Sequence, residues 1–285
     1  MAQSVTAPAT APSDAPITVT APTVSDQQIE SRANAYVRGV LPVASYNQYG
    51  RWTVAVCPKV TGITDDAAAI VAERVRAVAA AAAIPLAGPR CKPNLNIVFS
   101  EDSRRTAAVI TRRRPGLIVR LSGTERDVLL KAPLPVRWWH GLEPGDGNGV
   151  ALGPMSVALS SAGGTSTLPV GPSTVMTNSY NSSLIDTHLV IGMTSATAIV
   201  DVPLATGKSL DAVADYIAMV TLAPTRLPPD PPGVPSILGL FSNGDTVVSD
   251  WDRAYLSALY RITLNRAALR QRRQLAGLIG DDIKR

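Results

Sequence analysis

The two cysteines of this chain, Cys57 and Cys91, stand on either side of one strand-helix-strand unit, and that placement limits how the region can fold. Cys57 closes the apolar run Trp52-Thr53-Val54-Ala55-Val56 and precedes Pro58. Cys91 precedes Lys92-Pro93 and a second run, Leu95-Asn96-Ile97-Val98-Phe99. A helix joining two neighbouring strands returns the chain to the same end of the sheet, which brings the two sulfurs within bonding reach. One disulfide between Cys57 and Cys91 is therefore expected, contributing about 3 to 4 kcal/mol in the chain-entropy model. The alternative is two separate buried thiols, because free Cys is a common small core residue. No metal site is expected, since the two cysteines and two histidines are far apart and lack the short C-x-x-C or H-x-x-x-H spacings of zinc sites.

A disulfide suits an oxidising compartment, and the N-terminus agrees. Residues 1–27 are mainly Ala, Pro, Thr, Ser and Val, with Asp14 and Asp26 as the acids and no aromatic residue. Such a segment cannot bury enough apolar surface to offset its ordering entropy, so a disordered leader is expected there. It lacks the basic and apolar regions of a signal peptide, and Met1-Ala2-Gln3 reads as a start placed on a mature N-terminus. The expected location is exported, periplasmic or secreted; the alternative is a cytoplasmic protein with a flexible tail. Residues 28–285 are expected to form one folded domain. The Ala-rich stretch 67–84 is interrupted by Glu73, Arg74 and Arg76, so no transmembrane segment is expected.

The pattern then alternates. Ile29, Ala33, Tyr36, Val37 and Val40 lie at helical spacing and predict a helix over 28–40. A strand over 52–56, a helix over 65–83 and a strand over 95–99 follow, then a helix over 101–113, a strand over 117–121 and a helix over 124–131. This order predicts an α/β (α+β) fold of layered strands and helices. Residues 147–185 hold no charged side chain and are rich in Gly, Ser, Thr and Pro, which predicts a β-rich or loop-rich insertion. Its uncharged surface suits contact with a protein or a glycan. Beyond it, 187–193 predicts a strand, and 209–222 an amphipathic helix with Leu210, Val213, Ile217 and Val220 on one face. Residues 243–245 predict a turn. Ser249 and Asp252 form a capping box opening a helix through residue 260, and a basic helix covers about 265–278.

Net charge is +5, from 27 basic and 22 acidic residues, and the excess gathers at Arg104-Arg105, Arg112-Arg113-Arg114 and the C-terminal arginines. A nucleic-acid surface would interleave aromatic residues among these; none lies there, so no nucleic-acid partner is expected. Catalytic candidates are few. His140 follows Trp138-Trp139, and His188 stands two residues from Asp186; a His beside a carboxylate suits general-base chemistry, but no G-x-S-x-G elbow occurs. A lone His on a strand more often serves structure. Asp146-Gly147-Asn148-Gly149 opens like a calcium loop yet lacks the distal Glu, so a glycine-rich turn is expected. Trp138-Trp139 suits a sugar or a protein anchor, although strand alternation sends one indole inward.

Several motifs carry a resemblance. The runs Arg51-Trp52 to Cys57-Pro58-Lys59-Val60-Thr61-Gly62, Cys91-Lys92-Pro93-Asn94-Leu95, Ala214-Asp215-Tyr216-Ile217-Ala218-Met219-Val220, and Asp250-Trp251-Asp252-Arg253-Ala254-Tyr255-Leu256-Ser257-Ala258-Leu259-Tyr260 resemble an uncharacterised family of exported proteobacterial proteins with no assigned biochemical function. More distantly, the chain resembles secreted zincin-like putative peptidases, which implies a zincin-like scaffold. Laid on their H-E-x-x-H helix, this chain reads Ala214-Asp215-Tyr216-Ile217-Ala218. Alanine has no lone pair for zinc, and Asp215 alone matches the base, so neither metal nor cofactor is expected. The function expected is a non-catalytic binding or structural module on a degenerate zincin-like scaffold. The alternative is an exported hydrolase using His140 or His188 with Asp186, Asp215 or another nearby carboxylate.

Overall fold

The structure, a computed structural model, describes residues 24–145, 156–161, 164–169, 190–230, 233–242, 244 and 246–285. Its elements run α1 (Asp26–Val40), β1 (Arg51–Trp52), β2 (Pro58–Thr61), α2 (Asp65–Ala81), β3 (Leu95–Ser100), α3 (Ser103–Arg113), α4 (Gly123–Lys131), β4 (Val136–Gly145), β5 (Ser156–Ser161), β6 (Gly164–Pro169), β7 (Val190–Asp201), α5 (Val202–Ala205), α6 (Leu210–Leu222), α7 (Asp250–Arg261) and α8 (Ala268–Ile283). This is the expected mixed α/β architecture, with helices against a largely parallel sheet. No described helix is long and apolar enough to cross a membrane.

β7 is the axis of the sheet. β3 runs parallel along its second half, from Leu95 opposite Ala196 to Ser100 opposite Asp201, and β1 lies parallel beside Gly192 and Met193 on the same side. β2 extends the sheet beyond β3. β4 pairs antiparallel with the opposite side of β7 over its whole length, with a bulge between Gly141 and Leu142. Strand alternation sorts the side chains between two cores. Leu95, Ile97, Trp138 and Ala198 face the larger, shared with α1, α2, α6, α7 and α8. Trp139 and Ile199 face a smaller one with Ala107 of α3 and Leu129 of α4. Both indoles of Trp138-Trp139 are thus buried, each 3% exposed, because helices cover both faces where one inward indole was expected.

The disulfide is present, with Cα atoms 6.1 Å apart, and joins the entries of β2 and β3. The unit between them is β2-α2-β3, parallel as expected. Its first strand differs from expectation. The run 52–56 does not form one strand; β1 ends at Trp52 beside β7, and the chain then steps across to β2 beside β3, with Val56 bridging Leu86 on the way. The expected strand over 117–121 is also absent. Pro115–Ile118 is a 3-10 turn instead, and Leu117, Ile118 and Leu121 pack onto the smaller core. Short apolar runs carry no periodicity that separates a strand from a buried turn, and Pro115-Gly116 favours the turn.

Polar side chains fix several helix ends. Arg137, fully buried, donates from Nη1 to Leu129 O (2.6 Å) and from Nη2 to Ala132 O (2.6 Å), closing the C-terminus of α4. Its Nε donates to Ser103 Oγ (2.7 Å), and Ser103 donates in turn to Asp201 (2.7 Å), so one network ties the start of α3 to the end of β7. Burial lowers the Arg137 pKa, and Asp201 opposes the drop. Asp252, also fully buried, goes beyond the expected capping box: it accepts from Tyr36 Oη (2.8 Å), Ser236 Oγ (2.6 Å), the Ile237 amide (2.8 Å) and Ser249. α1 starts at Asp26, inside the expected leader, where Ser25 and Gln28 make a reciprocal cap. Residues 1–23, the 243–245 turn apart from Gly244, the Asp146-Gly147-Asn148-Gly149 turn, and most of the 147–185 insertion lie outside the described residues. Within that insertion the backbones of β5 and β6 pair antiparallel, as a hairpin requires.

Candidate functional site

α6 is the centre of the molecule. Residues Ala212 to Leu222 are all buried, so the helix is covered around its circumference and not half-exposed as its spacing suggested. A helix of this kind leaves its last carbonyls without partners unless side chains reach them. Three do, and two more hold carbonyls just beyond it; the five come from three regions of the chain. His140 Nε2 lies 2.9 Å from Val220 O, Trp52 Nε1 donates to Thr221 O (3.0 Å) and Tyr260 Oη to Leu222 O (3.2 Å). Just past the helix, Tyr255 Oη donates to Pro224 O (2.8 Å) and Trp138 Nε1 to Thr225 O (3.1 Å).

His140 is therefore placed by structure before chemistry. A carbonyl only accepts, so Nε2 carries the proton and Nδ1 the lone pair. Desolvation lowers the imidazole pKa to about 4, with the Val220 carbonyl opposing the drop. The ring is neutral at pH 7. A base this weak is poorly matched to proton abstraction near neutrality. None of its hydrogen bonds among the described residues goes to a carboxylate.

Asp215, the other described candidate, is 1% exposed and faces α2. Arg74 grips it with two bonds, Nε to Oδ1 at 2.5 Å and Nη2 to Oδ2 at 2.8 Å. Ala214 and Ala218 have no exposed surface and pack into the larger core. The zinc that the zincin comparison implies does not fit this helix: both ligand positions are apolar methyl groups and the carboxylate is bound to a guanidinium. Among the described residues no three His, Cys, Asp or Glu side chains are grouped to hold a metal ion. His188 and Asp186 lie outside the described residues.

Two clefts flank this centre, and they separate the candidates. One, of about 1010 Å³, runs between α2, α7 and the end of α8; Arg74, Arg253 and Arg285 line it, and each has a carboxylate partner, in Asp215, Asp250 and Asp282. The other, of about 670 Å³, holds His140. Every residue from 138 to 143 of β4 lines it, together with Thr194 and Ser195 of β7 beside the bulge. One wall is the segment 116–122; the other combines 42–50 with 224–227. Buried Gln271 holds the second wall, accepting from the Tyr49 amide (2.8 Å) and donating to Leu264 O (2.9 Å). Arg120, 4.3 Å over the Tyr46 ring, links the two walls. Val43 and Val119 are well exposed beside the opening.

The sequence placed His140 on a strand next to Trp138-Trp139 and three residues before Glu143, and gave no sign of Arg120, Arg226 or the 42–50 wall as neighbours. Their sequence separation is bridged only by packing on α6 and α8, and no motif spans it. Comparison with family models, with curated proteins and with solved structures finds no match to this chain.

Proposed function

We propose that this protein is an exported, non-catalytic binding module that uses the cleft along β4. The observation that carries it is the state of the two described catalytic candidates. His140 is engaged with the end of α6 and is a weak base, while Asp215 is locked to Arg74 in the opposite cleft. Neither is available to the other. A cleft of this size, lined by aliphatic and indole surface with a few polar groups, has the character of a binding site. The disulfide supports the exported, periplasmic or secreted location. In this reading the zincin-like scaffold survives as a shape without its chemistry, and the 147–185 insertion adds a protein or glycan contact. The hydrolase alternative rests on His188 and Asp186.

The two readings part on zinc. Dialysis of the purified protein against zinc, followed by elemental analysis, should leave no stoichiometric metal. One tightly held zinc per chain, lost on His140→Ala or His188→Ala, would overturn the non-catalytic reading.

A further inference from the structure

β4 has one free edge. β7 pairs it from Val136 to Gly145, and among the described residues no strand pairs its other side. In an antiparallel ladder alternate residues bond the partner and those between direct their N–H and C=O outward. The Asp201 amide donates to Pro135 O (2.8 Å), one step on from the Val136–Val200 pair. Arg137 and Trp139 therefore bond β7, and the backbone groups of Val136, Trp138 and His140 point away from it. The cleft reaches this edge. It meets every residue from 138 to 143, on both faces of β4, and beside the bulge it also extends over the sheet to Thr194 and Ser195 of β7.

The charges at the two ends of the cleft describe an occupant, because they differ in sign. Arg226 lies at the Trp138 end, next to the Thr225 carbonyl that Trp138 holds, and Glu143 lies at the other, about 17 Å away at 3.4 Å per residue. Both are exposed, and neither is in an ion pair among the described residues.

Building on the proposed binding role, we infer that the cleft takes an extended peptide as an added strand on the free edge of β4, antiparallel to it. Backbone hydrogen bonds at Trp138 and His140 hold it, as in strand addition generally. Antiparallel addition puts the N-terminal end of the peptide at Glu143, and the charges then ask for a basic side chain there and an acidic one about five residues later beside Arg226.

The test uses the full chain and the capped hexapeptide acetyl-Lys-Val-Thr-Val-Thr-Glu-amide, with its reversed sequence and a set of single N-methyl versions, measured by calorimetry. The forward peptide should bind at least tenfold more tightly than the reversed one. N-methylation should weaken binding tenfold or more at every second amide and little at those between. The doubly substituted Arg226→Glu, Glu143→Lys protein should prefer the reversed peptide; both positions are exposed, so the fold should persist. Failure of the forward peptide to bind at millimolar concentration, a methylation scan without alternation, or an unchanged preference in the charge-swapped protein would each overturn the inference. Mass spectrometry of the recovered peptide keeps the two proposals apart. A cleaved peptide would overturn the non-catalytic reading, whereas an intact peptide that had not bound would overturn the strand-edge inference alone.

Discussion

His140 shows how a residue with the chemistry of a catalyst can be spent on a helix end. Its ring caps α6 at Val220 from the strand that floors the cleft. In the unfolded chain its imidazole titrates near 6.5, and in the fold near 4. Above about pH 6.5 both states are neutral and its contribution to stability is complete. As pH falls from there through 4, the unfolded chain takes up a proton that the folded one refuses, and stability is lost, by roughly 3 kcal/mol below the folded value. Replacing His140 by Gln keeps an N–H donor but cannot titrate. Urea unfolding at pH 7.5, 5.5 and 4.5 should show the variant about 1 kcal/mol weaker at the highest pH, about equal at pH 5.5 and the more stable of the two by roughly 1 to 2 kcal/mol at pH 4.5. An equal loss in both proteins across this range would show that His140 is not the titrating group. A structural role for a lone strand His was legible in the sequence. The acceptor was not, because Val220 lies eighty residues away on a helix whose rotation only packing decides.

At the level of elements, the sequence was clearest where local chemistry acts alone. Ser249 with Asp252 caps its helix where the spacing put it. β3 and the helices on either side of it fall close to their expected bounds. The failures are short apolar runs. Residues 52–56 and 117–121 lack the length to declare a strand, and their final form depends on which neighbour is free to pair. β1 finds β7 for two residues; Pro115–Ile118 finds a hydrophobic floor and no strand partner. The disulfide was legible because two cysteines flank a parallel crossover unit, whose strand entries must be neighbours. With its ends 34 positions apart in sequence, it removes enough disorder from the unfolded chain to contribute about 3 to 4 kcal/mol. The Cys57→Ser, Cys91→Ser protein should lose about that much in urea unfolding, with its cleft geometry unchanged because the bond lies at the far edge strand. A loss under 1 kcal/mol would mean that the unfolded chain is already confined there.

Across the whole molecule, the sheet was legible and the closure around it was not. Alternating hydrophobic runs announce β2-α2-β3, yet nothing in them says that α1 and α8, over two hundred residues apart, pack together to back the larger core. Tyr36 ties the same α1 to α7. Its ring lies among Trp251 and Tyr255, and its hydroxyl donates to Asp252; burial first, and Asp252 second, raise its pKa well above the ordinary value, so it stays a donor throughout the accessible pH range. The N-terminal boundary of the folded unit is therefore expected between the Ala/Pro/Thr-rich segment and Ser25, and truncation locates it. A chain beginning at Val24 should melt within about 2 °C of the full protein, since the composition before it offers no core. One beginning at Leu41 removes buried Ile29, Ala33, Tyr36, Val37 and Val40 together and should not unfold cooperatively. Tyr36→Phe separates the two causes: it keeps the buried ring and deletes one bond to Asp252, which retains its other donors, so it should cost only about 1 to 2 kcal/mol. A cooperative transition near the full-length temperature in the chain starting at Leu41 would remove α1 from the core and leave Asp252 held by the Ser236–Ser249 segment alone.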